Sequence, residues 1–152
     1  MQEKEKKLYN YTKAVISLII KLFDGRDNKD LEYEKNLEYL KIFLEDEQDI
    51  YKEFSNEELN NLYEKYKSNR ESYEEYLVPT TKEELIRRRI ETNLESRLYI
   101  INNLIQYDKE HPRVDPRLRN TYINGLTAEY IYKNRILEAT YKATMEAGHS
   151  DF

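Results

Sequence analysis

Cysteine is absent from the 152 residues, which excludes disulfides, thiolate metal sites and cysteine nucleophiles together and suits a reducing cytoplasm. Tryptophan is absent too, and only three glycines, three prolines and two histidines occur. So little turn punctuation leaves no room for the many short strands of a sandwich or barrel. Long apolar runs are also missing. The longest, Ala14-Val15-Ile16-Ser17-Leu18-Ile19-Ile20, ends at Lys21, far short of the roughly 20 residues that cross a bilayer. No small-residue cleavage site accompanies it, so neither a membrane anchor nor a secretory leader is expected.

Charge and helical periodicity fill the space these absences leave. Charged residues make up 36% and hydrophobic residues 39% of the chain, a balance that suits long amphipathic helices. The length fits one domain able to bury roughly 70% of its unfolded surface. The net charge of −5 is unevenly spread: residues 1–78 carry 13 basic and 19 acidic side chains, residues 79–152 carry 12 and 11. Basic residues are mainly lysine in the first half and arginine in the second. Arginine binds carboxylate and phosphate through two parallel donors, so the second half is the expected anion contact.

Two helix starts are written as capping boxes, Ser55-Asn56-Glu57-Glu58 and Thr80-Thr81-Lys82-Glu83-Glu84, each offering a hydroxyl and a glutamate to the amides that an opening helix leaves unpaired. Apolar spacing predicts five helices, mainly antiparallel, in an all-α single-domain bundle over 1–152. The first spans 5–23, with Leu8, Tyr11, Val15, Ile16, Leu18, Ile19, Leu22 and Phe23 covering a wide arc before Gly25. The second spans 29–54, capped by Asn28 or Asp30, with Tyr33, Leu37, Leu40, Leu44, Glu47, Tyr51 and Phe54 at alternating steps of four and three. The third, 56–77, uses tyrosines where the others use aliphatics. The fourth, 82–110, places Leu85, Ile86, Ile90, Leu94, Leu98, Ile101, Leu104 and Ile105 inward, and His111-Pro112 ends it. The fifth, 116–147, starts with Asp115 as cap and Pro116 at its first position. Its inward set is Leu118, Tyr122, Leu126, Tyr130, Leu137 and Tyr141, and Asn124-Gly125 is either tolerated within it or divides it.

Catalytic, cofactor and metal motifs fail on geometry. His111-Pro112-Arg113-Val114-Asp115-Pro116-Arg117-Leu118-Arg119 resembles the signature of Fic-type AMP-transferases over nine residues, with an acidic residue four after the histidine and an arginine eight after it. Pro116-Arg117-Leu118 stands where that family has the glycine turn that cradles phosphate, so a plain interhelical turn is the better account. Asp108…His111 and Glu146…His149 share the carboxylate–histidine spacing of di-iron bundles. Each histidine falls at a helix end, however, where the two groups do not converge on one metal. A helix-turn-helix would need its turn at Asn124-Gly125-Leu126 and apolar residues where Asn124 and Asn134 stand. No enzyme, metal or cofactor is expected.

Binding residues remain. Fifteen tyrosines include Tyr63, Tyr66, Tyr73 and Tyr76 on the third helix, where few aliphatics accompany them and a partner would complete the packing. Arg87, Arg88, Arg89, Arg113, Arg117 and Arg119 form a candidate anion-binding patch at one interhelical corner, with Glu83, Glu84, Glu91 and Glu95 spaced to neutralise part of it. The expected function is a non-catalytic, cytoplasmic protein that acts by binding a protein partner or itself through the tyrosine-lined third helix or the heptad stripe of the second, with no role for a membrane. One alternative is a nucleic-acid or phospholigand binder using the arginines. Another is an acidic mimic of nucleic acid from a mobile element, presenting Glu45, Asp46, Glu47, Asp49, Glu57, Glu58, Glu74 and Glu75.

Overall fold

The protein is described here by a computed structural model covering residues 2–25, 31–67, 81–113 and 115–146. The fold is all-α, with five helices and no strand among the described residues. These are α1 (Glu3–Gly25), α2 (Leu31–Lys52), α3 (Asn56–Tyr66), α4 (Lys82–Glu110) and α5 (Pro116–Glu146). They divide into two compact units at the Ser55–Asn56 boundary.

The first unit is the α1–α2 hairpin. Lys7 at the start of α1 meets Glu53 just past α2 at 3.4 Å, Lys4 donates to the Glu53 carbonyl at 3.4 Å, and the Tyr11 ring meets Phe43 edge-on at 5.6 Å. These contacts run in opposite chain directions, so the helices are antiparallel. Leu8, Val15, Ile16 and Leu18 are buried on α1, as are Ile50, Tyr51 and Phe54 towards the end of α2. Thr12 is fully buried and donates its hydroxyl to the Leu8 carbonyl at 2.9 Å, so its polar atom costs little. Glu47, the charged member of the α2 stripe, is 1% exposed and has neighbours that engage it. Leu44, expected inside, is 36% exposed. The burial therefore concentrates at one end of α2.

The second unit packs α3 and α5 against α4. Thr81 caps α4 with an extended backbone (φ −125°, ψ 154°) and accepts from the Glu84 amide at 3.0 Å, the contact that the capping-box spacing predicts. At the other end the His111 amide donates to the Tyr107 carbonyl at 2.8 Å, and the helix stops before Pro112, whose ring cannot continue it. Asp115 Oδ1 accepts from the Arg117 amide at 2.8 Å, and α5 begins at Pro116. Antiparallel α4–α5 register is held by Asp108–Arg119 at 3.0 Å, by Asn134 donating to Asn93 at 2.7 Å, and by Glu95–Lys133 at 3.8 Å.

Two expectations change and one open alternative is decided. The third helix stops at Tyr66, with Lys67 already non-helical; its expected extension to residue 77 otherwise lies outside the described residues, as do the Asn28 and Asp30 caps. Asn124-Gly125 makes no break, since α5 is continuous from Pro116 to Glu146. That removes the turn a helix-turn-helix requires. Ile105 and Leu118, placed inward by spacing, are 48% and 59% exposed. A two-helix contact buries one narrow stripe per helix, so spacing overcounts the core there.

Candidate functional site: the outer face of α5

The core of the second unit lies along α3 and the first half of α4. Leu59, Leu62 and Tyr66 are buried on α3, and Leu85, Ile86, Ile90 and Leu94 on α4. α5 differs: its 31 residues contribute no buried side chain among those described. Leu126, Asn134 and Leu137 on one side are half-buried, and the Asn134–Asn93 bond orients that side towards α4.

The opposite side is apolar and open. Leu118, Gly125, Tyr132 and Ala139 recur every seven residues, and Ala128 and Ile136 fall between them, which places all six within one arc of the helix. Every one of these residues is solvent-exposed, Tyr132 by 66% and Ile136 by 47%. A Cβ built on Gly125 meets nothing within 4 Å, so nothing in the described fold covers the middle of this face. Arg117, Arg135 and Lys133 lie along its edges by the same helical geometry. Folded proteins seldom leave large apolar residues clustered in water without a use for them.

The expected tyrosine surface is placed differently. Tyr66 is 6% exposed, with the Arg87 guanidinium 5.8 Å from its ring centre, so it belongs to the packed side of α3. Tyr63 is half-buried. Tyr73 and Tyr76 lie outside the described residues. A phenol buried in this way offers no area to a partner unless α3 moves.

The six arginines do not share one corner. Arg87, Arg88 and Arg89 occupy the first turns of α4, whereas Arg113, Arg117 and Arg119 lie at the α4–α5 turn, roughly 30 Å away along the helix. In the first group Arg87 pairs with Glu83 at 3.5 Å, Arg88 with Glu84 at 3.1 Å, and Arg89 is 7% exposed. Those i, i+4 partners are the neutralising glutamates that spacing predicted. In the second group Arg119 grips Asp108 through two bonds of 3.0 and 3.1 Å. These bonds, aided by the arginine's charge, hold the Asp108 carboxyl below its ordinary value and raise that of Arg119.

Asp108 is therefore committed to closing the turn, and His111 sits past the helix end, so the pair does not converge on a metal. His149 lies outside the described residues. In the first unit a groove of about 450 Å³ is lined by Lys4, Lys6, Lys7, Asn10, Tyr11 and Glu53, among others. Lys4 and Lys7 are already engaged by the end of α2 there, and the Lys4 ammonium also sits 4.8 Å over the Phe54 ring. Compared with protein-family models, curated proteins and solved structures, the chain matches none. No described helix is long and apolar enough to cross a membrane.

Proposed function

We propose that this is a non-catalytic interaction protein of the cytoplasm, acting by binding a protein partner or a second copy of itself through the outer face of α5. One observation carries the reading: a 31-residue helix with no buried side chain among those described presents Leu118, Tyr132 and Ile136 to water. Covering an isoleucine or leucine fully is worth about 1.5–3 kcal/mol, so three such residues can drive association. Gly125 supports the same reading. An interior glycine costs about 1 kcal/mol relative to alanine, the fold places nothing over it, and its bare backbone lets a partner approach closely.

The test separates this face from the rest of the molecule. Tyr132→Asp with Ile136→Asp should abolish both stoichiometric retention of a protein from nuclease-treated lysate and any self-association seen by sedimentation, while helicity by circular dichroism is unchanged. Retention and sedimentation identical to wild type in the folded double variant would reject the face.

A further inference from the structure

The α4–α5 turn carries a second feature, which shares only Arg117 with the edge of the partner-binding face. The His111 ring stacks on Tyr107 at 4.4 Å between centroids and 25° between planes. Tyr107 in turn stacks on Tyr122 of α5 at 4.4 Å and 17°. The result is a three-ring column whose last member, His111, is solvent-exposed. Its ring Nδ1 lies 3.1 Å from the Tyr107 carbonyl, which fixes the ring's tilt. Closing the turn requires the Tyr107–Tyr122 contact and the Asp108–Arg119 pair, but the outer face of His111 serves neither.

The charges around this column are unequally committed. Asp108 is neutralised by Arg119, whereas Asp115 accepts from the Arg117 amide and Glu110 from the Gln106 side-chain amide at 2.8 Å, and these two keep their charge against the three cations nearby in the chain. Lys109, Arg113 and Arg117 are exposed, and no ion pair joins their side chains to any described residue. An exposed ring with unpaired cations two residues before it, two after it and six after it along the chain suits one chemistry, an unstacked base with its phosphate. A base within a duplex has no face to offer, so double-stranded nucleic acid does not fit.

We propose that the α4–α5 turn binds a nucleotide unit, with the base stacked on His111 and the phosphate held by Arg113 and Arg117. The unit belongs either to a single strand or to a free nucleotide, since both present this chemistry. The molecule's net charge of −5 opposes wider phosphate contact, so the interaction is local.

Fluorescence anisotropy with a labelled strand of about ten thymidines, read across a salt series, tests this. Single-strand binding is expected, with a duplex of the same length binding no better. His111→Ala should weaken binding about ten-fold, the scale of one lost base stack, whereas His111→Phe, which restores a ring, should retain it. Arg113→Gln with Arg117→Gln should flatten the log K against log salt slope by about 1.4, two phosphates at ~0.7 each. Arg87→Gln, far along α4 and already paired, should change neither. Displacement of the strand by AMP at a matching nucleotide concentration assigns the free nucleotide; persistence of the strand complex assigns the polymer. The proposal is overturned if neither strand nor AMP binds at low salt, if the duplex binds better, if folded His111→Phe is as weak as His111→Ala, or if Arg87→Gln matches the turn variants.

Discussion

At the residue scale, the most local chemistry was the most legible. A hydroxyl and a glutamate three apart define a cap without reference to the rest of the chain, and Thr81 makes that contact at 3.0 Å. Thr81→Ala should cost about 1 kcal/mol and lower the denaturant midpoint, with Thr81→Ser restoring most of it. Asp108–Arg119 was not legible, because residues 11 apart meet only when two helices fold back on each other. Both side chains remain part-exposed, 47% and 38%, so their attraction is screened and adds little to stability. Its signature is in titration. The Asp108 carboxyl is depressed in the fold, so what the pair contributes is present above the ordinary aspartate value and is lost as pH falls through the lower folded value. In Arg119→Gln, side-chain NMR should show Asp108 titrating higher, back towards its ordinary value. An unmoved midpoint would mean that the pair does not persist in solution.

At the element scale, helix starts were readable and helix ends less so. Apolar spacing continues past Tyr66, yet α3 stops there. The opposite case is Asn124-Gly125, where a local break signal was overridden by the continuous hydrogen-bond ladder of α5. Because a Cβ at Gly125 meets open space and the residue is helical, Gly125→Ala should stabilise the protein by about 0.5–1 kcal/mol and raise Tm by about 1–4 °C in calorimetry. A fall would mean that the position needs glycine for its backbone conformation. The outer face of α5 left a trace that the inward stripe did not absorb: Tyr132 and Ile136 are large apolar residues off the predicted core positions, and each is at least 47% exposed. Surplus apolar residues of this kind are the signal that sequence reading passed over.

At the scale of the whole molecule, burial is uneven, and stability should follow it. Leu8, Val15 and Ile16 on α1 and Leu85, Ile86, Ile90 and Leu94 on α4 are each at most 1% exposed, while α5 has no buried side chain among those described. Native-state hydrogen exchange should therefore show the slowest amides over 8–16 and 85–94 and much faster exchange through α5. Equal protection in α5 would mean that its outer face is already covered in solution. The sequence by itself determined the helical class, the starts of α4 and α5 and, within the stripe expected inward on α5, the half-buried Tyr122, Leu126 and Leu137, because capping and periodicity are properties of neighbouring residues. Only the tertiary structure decided that Tyr66 is packed away, that the arginines separate into two groups, and that α5 carries a second apolar face. Each of these depends on which helices lie side by side, and contacts between residues distant in sequence leave no local pattern to read.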